Sequence, residues 1–334
     1  MSFVRYNPED SVISSETVVR GLFTGDNNTL VNFYSQSVNE YYLDVYNGTP
    51  SNSGSAVQFA IQYGNLYGSG SQVINSSILN SGYTPSRLVY GEYRNLVYGT
   101  ETTNFSFDSG LTTAKDIFVL NFARSRYKES LQPGSFNLCL KSGSSFIRLT
   151  DDSNTTTLTR FIGENEVYYI ISGSNGNTYT AAASSSYYGM MFPDLNIVIL
   201  NATSSATVSL LNYFTALTTA TASRQDNYNK LFNSIYSGSD GTTGSMQLQS
   251  SETVSSRYFF TRVKNGDFNY TTNPSIIDAN GNLLYTTLIN NPQTFITSVG
   301  MYNDNNELLA VAKLSQPLTK DFTKEALIRI KLDY

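Results

Sequence analysis

Oxygen-bearing side chains crowd two places in this sequence: Asp151-Asp152 with Asn154, and the run Asn303-Asp304-Asn305-Asn306-Glu307. Carboxylates and amides ligate hard cations such as calcium. Neither run has the spacing of a calcium loop with its central glycine and closing bidentate glutamate, so both read as solvated turns. The glycines of 64–70 and 173–176 lack the frame of a phosphate-binding loop and a helix to follow it. The 26 acidic residues are spread thinly, and nothing selects the carboxylate pair that glycoside hydrolysis needs. No motif sets a base beside a serine or threonine hydroxyl. Histidine is absent, which removes His-based triads, His-ligated metals and imidazole switches. The one cysteine, Cys139, cannot form an intrachain disulfide and sits in an alternating strand, where a small buried hydrophobe is expected. On these residues the chain reads as a non-enzyme, with no catalytic, cofactor or metal residue assigned and no small-molecule substrate.

The composition points the same way. Tyrosine and phenylalanine number 25 and 19, tryptophan is absent, and only 14% of the chain is charged. Serine, threonine and asparagine make up about a third of it, far above ordinary globular usage. Aromatic and β-branched residues suit a pleated surface, while Ser, Thr and Asn compete with helical hydrogen bonds. Hydroxyls and amides also bond across protein interfaces without the desolvation penalty of ions. A net charge of −5 argues against a nucleic-acid partner, because phosphate neutralisation needs a basic face. The densest charge cluster, Arg124-Ser125-Arg126-Tyr127-Lys128-Glu129, reads as a solvated turn. No apolar run approaches the roughly 18 residues of a membrane span, and Met1-Ser2-Phe3-Val4-Arg5 does not open an apolar signal region. No membrane insertion is expected, and the chain reads as soluble and made in a reducing cytosol.

The elements follow from hydrophobic period. Tyr41–Tyr46 and Ala56–Gly64 read as a hairpin, and Pro85-Ser86-Arg87 opens Leu88–Tyr98, a short helix for which Ser86 is the candidate cap. Strands are expected at 104–107, 117–122 and 134–140. Tyr228, Leu231, Phe232 and Ile235 recur at helical spacing before Gly238, a core face. Strand 256–263 ends at Asn265-Gly266, and Asn280-Gly281 marks another turn. Strands 294–302 and 307–314 flank the 303–306 turn, where Asn tolerates positive φ. Leu327–Tyr334 alternates to the final residue and reads as a paired strand.

The expected fold is mainly β: antiparallel sheets or a sandwich, one or two short helices, and an extended N-terminal arm. Residues 1–26 form that arm, 27–140 with 251–334 a β domain, and 141–250 an inserted Ser/Thr/Gly-rich β lobe with a short helix. In the arm Phe3, Tyr6, Val12, Ile13, Leu22 and Phe23 lie among polar residues without helical period. With Tyr334 at the far end, they are the candidate interface residues.

The block from Phe295 to Leu314, with Ile296-Thr297-Ser298-Val299-Gly300-Met301-Tyr302 running into the 303–307 turn and then Leu308-Leu309-Ala310-Val311, resembles a hairpin of tail, baseplate and fibre-attachment proteins of tailed bacteriophages. Those proteins carry Leu or Ile where Met301 stands. From Val19-Arg20-Gly21-Leu22-Phe23-Thr24-Gly25 through Thr84-Pro85-Ser86-Arg87 and Tyr93-Arg94 to Lys331-Leu332-Asp333-Tyr334, the chain also resembles structural proteins of contractile-tailed marine phages of cyanobacteria. The resemblance implies a virion component, at the tail or baseplate, made in the bacterial host cytoplasm. Its partners would be other virion proteins and copies of itself in a symmetric assembly. The competing classes are a receptor- or glycan-binding tail module, stacking sugars on Tyr187-Tyr188 or Tyr41-Tyr42, and a capsid or neck decorating protein. The absence of tryptophan counts against the glycan reading.

Overall fold

The computed structural model describes residues 5–36, 42–71, 84–142 (except 109 and 111), 145–178 (except 157 and 158), 187–203, 210, 217, 227–238, 246–269 and 273–333 (except 291). The elements in chain order are β1 (Ser11–Gly21), β2 (Thr29–Leu30), β3 (Tyr34–Gln36), β4 (Tyr42–Tyr46), β5 (Val57–Asn65), α1 (Pro85–Tyr98), β6 (Asp116–Phe122), β7 (Ser130–Leu131), β8 (Asn137–Ser142), β9 (Ser145–Asp151) and β10 (Arg160–Ile162). There follow β11 (Asn165–Ser174), β12 (Asn177–Thr178), β13 (Gly189–Phe192), β14 (Ile197–Asn201), α2 (Asn227–Gly238), β15 (Met246–Gln247), β16 (Gln249–Val263), α3 (Thr287–Asn290), β17 (Thr294–Tyr302), β18 (Leu308–Lys320) and β19 (Ala326–Asp333). The fold is mainly β and antiparallel, with three short helices.

The chain divides into two compact units, residues 17–252 and residues 1–16 with 253–334. This differs from the expected division. The stretch 141–250 is no separate lobe, because β9, β11, β13 and β14 stand between β8 and β6 in one 13-stranded sheet, whose main path runs β2-β15-β8-β9-β11-β13-β14-β6-β5-β4-β3. Both cuts fall inside strands, in β1 and in β16.

In the 17–252 unit the sheet is covered on both faces. Along β6, Phe118, Leu120 and Phe122 enter one apolar cluster while Ile117 and Val119 enter the other. Val198 and Leu200 of β14 alternate with Ile197 and Ile199 in the same way. A strand covered on both faces needs apolar residues at every position, which explains the unbroken runs in these two segments. Helix α1 lays Val89, Tyr90, Tyr93 and Val97 on one cluster, and α2 lays Tyr228, Leu231 and Ile235 on the other. Helix α1 begins at Pro85, with Thr84 at the N-cap and Gly99 closing it in the left-handed region at φ 66°. Ser86 is not the cap. It is buried in the first turn, where its hydroxyl donates to the Ser69 carbonyl at 2.9 Å and accepts from Ser71 Oγ at 2.8 Å. Residues 104–107 are not a strand either: Phe105 and Phe107 are buried side chains of a coil segment, fixed by the Ala114 amide on the Phe105 carbonyl. The β4–β5 hairpin forms as expected, with Leu43 opposite Ile61. At Gly189, which pairs with Leu200, a Cβ would stand 2.3 Å from the Ile199 carbonyl oxygen, so only glycine lets β13 approach β14 this closely.

In the other unit β16 pairs with β19 from Ser256 opposite Asp333 to Val263 opposite Ala326. Strand β1 lies on the other edge of β16. The expected extended arm is a strand from Ser11 onward, paired with β16 of its own chain. Strands β17 and β18 form a two-stranded sheet of their own. Asn306, at φ 62°, closes the turn between them by donating its amide to the Asn303 carbonyl.

Candidate assembly surface

The unit of residues 1–16 and 253–334 has too small a core for its strands. Among its described apolar residues only Phe259, Val263 and Ile328 are buried. Exposed instead are Phe295 and Tyr302 on β17, Leu308, Leu309 and Val311 on β18, and Leu327 and Leu332 on β19. Leu309 and Val311 are 68% and 60% exposed. A two-stranded sheet is marginal at best in water, and neither β17 nor β18 has another strand partner among the described residues. Gly300 opposite Val311 and Tyr302 opposite Leu308 place these apolar groups side by side near the hairpin turn. Contiguous exposed apolar side chains on a strand pair mark a contact surface or an aggregation liability.

Charges ring the β16–β19 ladder in local pairs. Arg262 donates twice to Glu325 Oε2, at 3.2 and 2.6 Å. Asp333 accepts from Ser256 Oγ at 2.7 Å and faces Lys331 at 3.0 Å. The Ser256 hydroxyl and then Lys331 hold the Asp333 carboxyl below the usual range, and Arg262 does the same for Glu325.

The residues picked from sequence have separate fates. Val12 and Ile13 are exposed on β1, and Tyr6 is exposed with its ring edge-on to Phe259 at 5.6 Å. Leu22 and Phe23 are only 2% and 3% exposed and belong to the core of the 17–252 unit, so they present no surface. Phe3 and Tyr334 lie outside the described residues. The hairpin side chains Phe295, Leu309 and Val311 were legible as strand but not as surface. The available signal was Leu308-Leu309-Ala310-Val311, apolar at both alternating sets of positions, of which Ala310 is half-buried while Leu309 and Val311 stay exposed.

The candidate chemistry of the turns is internal. Asp151 and Asp152 are buried, not solvated. Asp151 Oδ1 accepts the Gly134 amide at 2.9 Å and the Ser153 amide at 3.1 Å. Asp152 pairs with Arg160 and accepts the Tyr169 amide at 2.9 Å. Burial pushes the Asp151 carboxyl above its ordinary value. In the second run Asn303 Oδ1 accepts the amides of Asn305 and Glu307, so its oxygen serves the turn. No cluster of three or more His, Cys, Asp or Glu able to hold a metal occurs among the described residues. Arg126 also departs from the expected solvated turn. Its Nε donates to the Val57 carbonyl and its Nη1 to Thr24 Oγ1, both at 2.8 Å. Tyr187 lies flat on Tyr169, 4.1 Å between centroids, and the Arg160 guanidinium stands over the same Tyr169 ring at 4.4 Å. These aromatic faces are occupied by each other, Tyr188 packs against the core, and Tyr41 lies outside the described residues. Among the described residues no helix is long and apolar enough to cross a membrane.

Comparison of the chain with family models, with curated proteins and with solved structures gives no match.

Proposed function

We propose that this chain is a structural component of a tailed-phage virion, at the tail or baseplate, and that it works through subunit contacts rather than catalysis. The observation that carries the reading is the two-stranded hairpin of β17 and β18, on which Phe295, Leu308, Leu309 and Val311 stay exposed. The same hairpin is the segment whose sequence resembles tail and baseplate proteins. A neighbouring subunit would cover Leu309, Val311 and Phe295, gaining roughly 1.5–3 kcal/mol for each large side chain fully removed from water. Backbone pairing along an open strand edge would fix register. Val12 and Ile13 on β1 offer a second contact of the same kind.

The test is protein mass spectrometry of purified virions and of their separated tails. Recovery of the chain at a fixed stoichiometry in tails is the expected result. A chain absent from particles, or present only in the host lysate, would contradict the reading.

A further inference from the structure

Lys320, at the end of β18, is the one buried lysine among the described residues, and it is 0% exposed. Its Nζ donates to three oxygens: the Asn265 carbonyl at 2.9 Å, Asn269 Oδ1 at 2.8 Å and the Asp321 carbonyl at 2.9 Å. None of them is a carboxylate. The Asp321 side chain is engaged elsewhere, by the Thr323 amide and hydroxyl and by Lys324 at 3.3 Å. A buried ammonium without a counter-charge is costly, and the cost vanishes when the nitrogen becomes a neutral amide. Asn269 is also buried, at 7% exposure, and its Nδ2 donates to the same Asn265 carbonyl at 2.5 Å. One oxygen thus gathers the lysine amine and the nitrogen of the neighbouring carboxamide.

We propose that Lys320 and Asn269 are the two halves of an intramolecular isopeptide cross-link. Nζ of Lys320 gives up a proton and adds to Cγ of Asn269, forming the new C–N bond. The Cγ–Nδ2 bond then breaks, and Nδ2 leaves as ammonia with protons released from Nζ. The net change converts a lysine ammonium and an asparagine carboxamide into one secondary amide and one ammonium ion. Nothing is oxidised or reduced, and no co-reactant is needed. Fixed juxtaposition supplies the rate advantage of an intramolecular reaction. No described carboxylate stands within ion-pair distance of Nζ to relay protons, so the bond forms slowly and accumulates after folding.

The fold gives such a bond a purpose. The unit buries only Phe259, Val263 and Ile328 among its described apolar residues. The single cysteine, Cys139, lies in the other unit, so a disulfide is not open to this one. A bond between residues 269 and 320 closes a loop that contains the whole of β17 and most of β18, and it restricts their unfolded ensemble.

Intact mass spectrometry of the folded full chain, sampled as it ages in native buffer and followed by peptide mapping, tests the proposal. The expected result is the loss of one ammonia together with a branched peptide joining the segments that contain 269 and 320. Asn269→Ala and Lys320→Met should each keep the full mass of their own sequence. If either variant fails to fold, the peptide map of the unsubstituted chain decides alone. An unchanged mass at every age, with Lys320 recovered as a free amine, would overturn the proposal. So would an ammonia loss that maps to a succinimide at Asn265-Gly266 or Asn280-Gly281 without any branched peptide.

Discussion

At Asp151 two backbone amides are held by one carboxylate oxygen in a fully buried position. Asp151→Ala strands both donors and should cost about 1–3 kcal/mol of stability, whereas Asp151→Asn keeps an acceptor and should cost far less. Because its folded pKa lies above the unfolded one, the ionised form of Asp151 weighs against folding as pH rises through that window. Denaturant melts of the two variants at neutral pH check the order. Asp333 and Glu325 have the opposite sign. Their folded values are depressed, so their contribution is present above the unfolded value near about 4 and is lost as pH falls through the folded one. A carboxylate NMR titration should place both midpoints below those of unstructured Asp and Glu. None of these partnerships was legible in sequence. Asp151-Asp152 looks like a solvated turn because adjacent acids usually are, and only the fold brings Gly134 and Arg160 to them.

Among the elements, β6 was the easiest to foresee and the hairpin the hardest to interpret. Unbroken apolar runs declare a strand covered on both faces, and the two clusters on either side of Ile117–Phe122 account for them. Gly189→Ala should destabilise this sheet by about 1–3 kcal/mol through overpacking against the Ile199 carbonyl, measurable by thermal melting. The 303–306 turn was foreseen from its asparagines, and Asn306 does take positive φ. Apolar residues on β18 gave no such guidance, because the same letters suit a buried strand and an exposed one awaiting a neighbour. Leu309→Lys and Val311→Lys should therefore change the stability of the isolated chain by no more than about 0.5 kcal/mol, yet prevent incorporation into particles. Melting curves paired with particle-incorporation assays separate the two effects. Short helices were legible where apolar spacing was clean, as in α2, but the cap of α1 was misplaced because Ser86 turns inward to other hydroxyls.

At the scale of the whole molecule, period-two alternation announced a mainly β chain, but the division into units could not be read from composition. The Ser/Thr/Gly-rich stretch 141–250 looks different from its flanks only because its loops are polar, while its strands complete the same sheet. The first residues looked like an arm because the strand they pair with, β16, lies more than two hundred positions away. One unit is amply cored and the other is not, and under the proposed function other proteins complete the second. Hydrogen exchange of the same chain, first purified alone and then within intact particles, tests that claim most directly. The account predicts similar protection of β6 and β14 in both states and a large gain for β17 and β18 in the particle. Equal exchange of the hairpin amides in the two states would contradict it.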